Sequence, residues 1–266
     1  MDRSPVPAAA DVDRHFQKPV FSRRLRLLGI LLLLAAGTRL DTRVFAAPAP
    51  TAVPALAASD LQGLSPQVLA AALDAVACAR TQGIGGREDL LTLIDYSLPS
   101  TEPRLWVLDL AHGKVLFHEI VAHGQGSGEN RATRFSNAEG SLQTSLGLFK
   151  TGGTYEGKNG YSLKLLGLDP GINDRAEERK IVMHGAWYVS PEQIRRYGRL
   201  GRSWGCPALS QASAHPVIDT IKGGSFVFAY AADPAWRQAS SSRRCTPGTP
   251  GMPATPVIAA VATGSR

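Results

Sequence analysis

The chain has 266 residues and is 44% hydrophobic, which is enough for one well-filled core with tails. Its net charge of +7 comes from the ends, since residues 1–46 hold eight basic and four acidic side chains, and residues 243–266 hold three basic and none acidic. Residues 47–242 hold eighteen of each, so the folded part is neutral and a nucleic-acid partner is not expected.

The N-terminal segment is typical of an export signal. Three arginines at positions 23, 24 and 26 precede an uncharged, leucine-rich run over 27–37, and small residues follow at 46–49. The run is too short to cross a bilayer comfortably. We predict that residues 1–47 are a signal peptide or membrane-targeting segment, and that the protein is exported to the periplasm or cell envelope. An uncleaved segment would anchor it to the membrane, and a loose match to a twin-arginine signal also stays open.

A linker and a helix are predicted next. Residues 48–64 are rich in proline and small residues, which is typical of a linker. Within residues 65–88, Ser65 is placed as an N-cap, Pro66 stands at the first helical position and Gly83 ends the helix. The apolar residues between them recur with a helical period, so this N-terminal helix is expected to pack on the domain that follows.

Short apolar runs bounded by turn residues then predict a mainly β domain over residues 89–232. The predicted strands lie at 90–98, 104–110, 114–124, 145–152, 162–169, 180–187 and 225–230. The second and third form a hairpin, the fourth and fifth form another antiparallel pair, and helices begin at Ser190 and Ser210. The fold class is therefore α+β, mainly β with a few helices. Residues 233–266 are rich in Pro, Gly, Ser and Thr and are predicted to be a disordered tail.

The three cysteines raise the first question about chemistry. An exported chain with three cysteines keeps at least one unpaired, and Cys78 in the helix could pair with Cys245 in the tail. Cys206 stands apart in the glycine-rich stretch GRSWGCPALS. From the residues alone it is a nucleophile, half of a disulfide or a buried hydrophobe.

A nucleophilic Cys206 needs a base, because the thiolate is the reactive form. His184, at the end of the predicted strand KIVMHG, is the closest plausible base in the sequence. Gly205 would let a carbonyl group approach the backbone, and the amides of Gly205 and Cys206 could hold the developing oxyanion. This arrangement suits acyl transfer through a thioester.

The segment HGAWYVSPEQIRRYGRLGRSWGC resembles the signature of the YkuD-type L,D-transpeptidases. In that signature a His-Gly pair is followed, after a short interval, by Ser or Thr, a variable residue, Gly and the nucleophilic Cys. The stretches RLWVLDL, VAHGQGSG, SLGLFKTG, GLDPGIND and GRLGRSWGCPAL are similar to murein L,D-transpeptidase catalytic domain proteins. The resemblance covers about residues 90–230 and implies a single catalytic domain, a mixed β-sandwich or barrel with the cysteine on a loop over the sheet.

The resemblance also implies a role for each matched residue. Cys206 would be the nucleophile and His184 its base, with the Gly185 carbonyl holding the imidazole tautomer and with Ser203 and Gly205 shaping the loop. The implied activity is acyl transfer from a tetrapeptide stem of peptidoglycan, its expected partner, to an amine. An L,D-carboxypeptidase with the same site and a non-catalytic wall-binding module remain alternatives, and a general cysteine peptidase is a weaker third.

The chain departs from the family pattern at several positions. The spacing from His184 to Cys206 is a few residues longer than usual, Trp204 replaces the common His, and a polar residue expected after the cysteine is missing. Arg202 or Arg199 could supply the positive charge that binds a substrate carboxylate instead. The residues predicted to bind substrate are Trp204, Arg202, His123, Ser127 and Tyr155.

Neither a metal nor an organic cofactor is expected. No pair of histidines has metal-site spacing, and Cys206 lacks a second cysteine nearby.

The charged stretch DRAEERK, residues 174–180, is predicted to be a solvated surface turn. His123 could instead be a strand-end histidine without a role in binding. Trp204 could instead be a residue that only packs.

Overall fold

A computed structural model describes residues 61, 63–233 and 236. The predicted signal segment, most of the predicted linker, and most of the predicted tail with Cys245 lie outside these residues. The described elements are the helices α1 (Pro66–Thr81), α2 (Pro191–Tyr197) and α3 (Gln211–Ile221), and the strands β1 (Arg87–Asp95), β2 (Leu105–Asp109), β3 (Lys114–Glu119), β4 (Gly147–Gly157), β5 (Gly160–Gly167), β6 (Val182–Gly185), β7 (Ala208–Leu209) and β8 (Ser225–Tyr230). A short 3₁₀ turn, Gln125–Ser127, precedes β4.

The eight strands form one sheet in the order β3-β2-β1-β8-β4-β5-β6-β7. Both predicted antiparallel pairs, β2 with β3 and β4 with β5, are confirmed. The last strand is placed in the middle, parallel to β1 and antiparallel to β4. Its sequence SFVFAY suits that place, because five of its six residues are buried and a central strand is covered on both faces. The predicted fold class, mainly β with a few helices, is confirmed.

Each face of the central strands packs into a different core. Along β8, Phe226 and Phe228 join the cluster that includes Leu69 and Ala72 of α1, whereas Val227 and Ala229 join the cluster on the other face. This alternation follows from the two-residue period of a strand. The cluster with Val227 and Ala229 also contains residues of α3, β6 and β7, namely Val217, Ile218, Ile221, Met183 and Leu209. Helix α3 therefore supports the strands at the end of the sheet where the candidate site lies.

The packed body extends beyond both predicted boundaries. Leu61 and Leu64, in the predicted linker, are buried in the same cluster as α1. Trp236, in the predicted tail, packs with its ring centroid 6.0 Å from that of Phe228 and 5.6 Å from that of Tyr230. Burial of large apolar side chains against a sheet stabilises the folded state. The composition of these two segments did not indicate that they pack on the domain. Within the described part of the chain, no helix has the length and hydropathy needed to cross a bilayer.

Candidate active site

Cys206 lies on a bend just before β7, the strand at the edge of the sheet. Strand β7 runs parallel to β6, and its Ala208 pairs with His184. Cys206 lies two residues before Ala208 in the sequence. The pairing of β6 with β7 therefore brings the bend with Cys206 next to the strand with His184, although the two residues are twenty-two positions apart in the sequence.

The thiol of Cys206 is free, whereas Cys78 is disulfide-bonded. The disulfide alternative for Cys206 is therefore excluded in this structure. The Cys78–Cys245 pairing stays a prediction, because Cys245 lies outside the described residues.

The sulfur of Cys206 is held at the start of β6. Its Sγ accepts a hydrogen bond from the Val182 amide at 3.5 Å and donates one to the Lys180 carbonyl at 3.7 Å. Lys180 has a φ of 55°, a left-handed conformation that side chains with a Cβ rarely adopt. Burial raises the pKa of the Cys206 thiol, and the Val182 amide and the Arg179 charge lower it less. The thiol is therefore protonated at neutral pH and needs a base to react.

His184 is arranged as that base. Its Nδ1 lies 2.9 Å from the Gly185 carbonyl, which can only accept, so Nδ1 carries the proton and Nε2 keeps a lone pair. The contact with the Gly185 carbonyl is the one predicted from the sequence. Burial lowers the pKa of His184, with the Gly185 hydrogen bond acting against it, so the ring is neutral at pH 7. A neutral imidazole can take a proton from a neutral thiol.

Residues 203–206 form the loop that carries Cys206, called the cysteine loop, and Ser203 holds it in place. The buried Ser203 hydroxyl donates to the Cys206 carbonyl at 2.6 Å and accepts from the Gly205 amide at 3.1 Å. Gly205 has a φ of 126°, and a Cβ there would lie 2.8 Å from the Gln143 carbonyl oxygen, so only glycine fits. The Gly205 amide is thus occupied, which corrects its predicted role as an oxyanion donor. The Cys206 amide donates to no group among the described residues and remains available.

The structure does not support the prediction that His123 and Ser127 line the cleft, because both are fully buried. His123 accepts a hydrogen bond at Nδ1 from Nη2 of Arg104, 2.9 Å away, since a guanidinium can only donate. The Ser127 hydroxyl accepts from the Thr144 amide at 2.9 Å. Each side chain satisfies a neighbouring polar group behind the cysteine loop, so neither can touch a substrate.

Buried His123 is expected to make stability depend on pH. Burial and the Arg104 charge lower its pKa from 6.5 to about 4. Between these two pH values the unfolded chain binds more protons than the folded protein. The His123 contribution to the unfolding free energy, about 3 kcal/mol, is therefore present above pH 6.5 and is lost as the pH falls through 4.

Urea unfolding at a series of pH values measures this effect. His184 and His118 also have lowered pKa values and act in the same direction, so the comparison needs a variant. His123→Asn keeps an acceptor for Arg104 and does not titrate, and it should flatten the slope between pH 6.5 and 4. Parallel slopes in the two proteins would rule out His123 as the source.

Arg202 and Arg199 share one carboxylate instead of facing Cys206. Glu129 lies 2.7 Å from Nη1 of Arg202 and 2.9 Å from Nε of Arg199. Arg202 also donates to the Gly128 carbonyl at 2.9 Å. The two arginines hold the pKa of the Glu129 carboxyl below its usual range. With these partners in place, the structure gives no support to either arginine as the group that binds a substrate carboxylate.

Exposed aromatic side chains occur in the cysteine loop and on the strands beside His184, since Tyr155 pairs with Ser162, which in turn pairs with His184. Trp204 is 69% exposed and Tyr155 is 40% exposed, as a contact with substrate would require. Nζ of Lys158, at the turn between β4 and β5, lies 5.1 Å from the Trp204 ring centroid. Trp187 follows β6 and is 70% exposed. It was not predicted to bind substrate, although its place three residues after His184 was a signal. Large exposed apolar groups commonly mark binding surfaces.

In the described part of the chain, no group of three or more His, Cys, Asp and Glu side chains could hold a metal ion. The chemical groups that the site offers are the free thiol of Cys206 and the neutral imidazole of His184.

The sequence profile of the L,D-transpeptidase catalytic domain family matches residues 60–230. Among solved structures, the chain is 15% identical to an L,D-transpeptidase from Mycobacterium smegmatis, over 54% of this chain and 59% of that one, with a TM-score of 0.33. It is 16% identical to an L,D-transpeptidase from Stackebrandtia nassauensis (61% and 67% covered, TM-score 0.34). It is 17% identical to the helical cell shape determining protein Pgp2 from Campylobacter jejuni (54% and 48% covered, TM-score 0.37). No curated protein matches the sequence.

Proposed function

The chain belongs to the L,D-transpeptidase catalytic domain family, and on this premise we propose that it is an L,D-transpeptidase of peptidoglycan. It would transfer the acyl group of a tetrapeptide stem to an amine through a thioester on Cys206. The observation that carries the proposal is the free thiol of Cys206 on the bend before β7, the strand that pairs with the strand of His184. The Gly185 contact leaves Nε2 of His184 unprotonated.

In the first half-reaction Nε2 of His184 takes the proton from Sγ as the sulfur attacks the carbonyl between the diamino acid and the terminal D-alanine. The Cys206 amide stabilises the negative charge on the carbonyl oxygen. The C–N bond then breaks, His184 returns its proton to the leaving nitrogen, and D-alanine departs. The stem is left as a thioester on the protein.

In the second half-reaction an amine attacks the thioester and gives its proton to His184. The C–S bond breaks, and the sulfur recovers a proton from the imidazolium. The acceptor is a second stem, which yields a crosslink, or a lysine of a protein. With water as acceptor the same site is an L,D-carboxypeptidase. Protons and the acyl group are the only species that move, so the proposal includes no cofactor.

Trp204 and Tyr155 are proposed to contact the stem, because both are exposed. Trp204 lies in the cysteine loop, and Tyr155 lies in register with His184 across β5. The proposed location is the periplasm or cell envelope, where peptidoglycan lies. Residues 1–47 would direct export and, if they are not cleaved, would anchor the protein to the membrane.

Incubating the protein with defined disaccharide-tetrapeptides tests the proposal. Equal amounts of free D-alanine and crosslinked dimer would support the transpeptidase, and D-alanine with tripeptide alone would indicate the carboxypeptidase. Binding of the tetrapeptide without release of D-alanine would favour the non-catalytic wall-binding module. Cleavage of unrelated peptides would indicate a general cysteine peptidase.

A further inference from the structure

We propose that Arg179 is a positioning residue that stabilises the thiolate form of Cys206 from behind the cysteine loop. This inference rests on the proposed function of Cys206 as nucleophile. The sequence predicts that Arg179 lies in a solvated surface turn, and the structure places its side chain against the cysteine loop instead.

The guanidinium of Arg179 lies beside Gly205, the residue before the cysteine. Its Nη2 is 3.4 Å from the position that a Cβ on Gly205 would occupy. The same Nη2 donates to the Gln143 carbonyl at 2.6 Å, and that carbonyl oxygen is 2.8 Å from the same position. The positive charge is therefore fixed next to the backbone that carries Cys206.

Among the described residues, every hydrogen-bond partner of this guanidinium is neutral. Nη1 donates to the Ser136 carbonyl at 2.7 Å and to the Ser145 hydroxyl, and Nη2 also donates to the Ser141 hydroxyl at 3.3 Å. Arg175, by contrast, pairs with Glu178 at 2.8 Å. No carboxylate in the described structure pairs with Arg179, so its charge is not cancelled. Because both Nη atoms are already occupied, the side chain is better placed to act through its charge than to bind a substrate carboxylate.

In the described structure, no other titratable group near the sulfur supplies a buried positive charge at neutral pH. Burial raises the pKa of Tyr188 to about 12 and that of Tyr96 further, so both phenols are neutral. His184, on the paired strand, is neutral as well. The ammonium of Lys180 is charged, but its side chain is exposed to water, which screens the charge. Arg179 lowers the pKa of the Cys206 thiol against the larger effect of burial, which agrees with the geometry.

The test is the pH dependence of thiol alkylation by iodoacetamide, in which the thiolate displaces iodide and no stem peptide is needed. For Arg179→Gln the rate at a pH below the thiol pKa should fall about tenfold, while the rate at high pH recovers. Arg179→Lys keeps a positive charge and should recover most of the loss. Arg175→Gln is the matched control, because it removes a neighbouring arginine whose charge is already paired, and it should leave the profile unchanged.

A second pair of variants keeps the arginine and cancels its charge. Ser141→Asp places a carboxylate beside Nη2 and should shift the alkylation profile to higher pH, whereas the neutral Ser141→Asn should not. This pair decides the question even if Arg179→Gln fails to fold. Equal shifts for Arg179→Gln and Arg179→Lys, or an unchanged profile in Ser141→Asp, would overturn the proposal. Failure of the wild-type protein to release D-alanine would instead overturn the proposed function and leave this alkylation result standing.

Discussion

Replacing Cys206 by serine is expected to lower the rate of D-alanine release from tetrapeptide stems by at least about a thousandfold. The neutral His184 has a lowered pKa and is a weak base, which is adequate for a thiol but not for a far less acidic hydroxyl. The initial rate of D-alanine release, measured at equal protein concentration, gives the result. Binding of the stem should persist, because serine is smaller than cysteine and leaves the loop in place.

The control for this variant is its stability. The Ser203 bonds that hold the loop involve the backbone of Cys206 and Gly205, so unfolding free energies of the variant and the wild type should differ by less than about 1 kcal/mol. A folded Cys206→Ser protein that still releases D-alanine at the wild-type rate would show that another group carries the acyl chain.

The largest expected effect on stability is that of Arg104→Met, a loss of about 3–5 kcal/mol in the unfolding free energy. Arg104 is fully buried and donates to the Val121 carbonyl at 2.8 Å and the Leu98 carbonyl at 2.7 Å. It also donates to His123. Methionine fills similar space but leaves these buried acceptors without donors. Burial lowers the pKa of Arg104 to about 10, so the charge is retained at neutral pH.

Urea denaturation followed by circular dichroism measures the loss. Arg134→Met is the matched control, because Arg134 is exposed and donates to a single carbonyl, that of Gly126, at 3.2 Å. Its unfolding free energy should change by less than about 0.5 kcal/mol. If the two variants lose the same stability, the buried network around Arg104 is not what holds the segments behind the cysteine loop.

The parts of the fold that were predicted correctly depend on local patterns. The hairpin of β2 and β3 has a short turn in which the Asp109 carboxylate accepts from the His112 amide at 2.9 Å. The serines before α2 and α3 accept hydrogen bonds from the amides of Gln193 and Ser213, as N-caps do. The position of β8 between β1 and β4 joins distant segments, so no local pattern could indicate it.

In the candidate site, too, the features that depend on a local motif were predicted, whereas those that depend on distant contacts were not. Cys206 and His184 were predicted as nucleophile and base because both belong to one motif, and the contact of His184 with the Gly185 carbonyl was implied by the same motif. The burial of His123 depends on Arg104, nineteen residues away, and the sequence gives no sign of that pairing. Arg179 lies in a segment dense in charge, where solvation is the common outcome, and its contacts with the loop before β4 appear only in three dimensions.

The most direct test is the intact mass of the folded, reduced protein, quenched in acid shortly after mixing with a disaccharide-tetrapeptide. We expect a gain equal to the mass of the substrate less that of one alanine, carried by the peptide that contains Cys206 and removed by hydroxylamine, which cleaves thioesters. A protein that binds the stem but gains no mass, or gains it on a residue other than Cys206, would contradict the account.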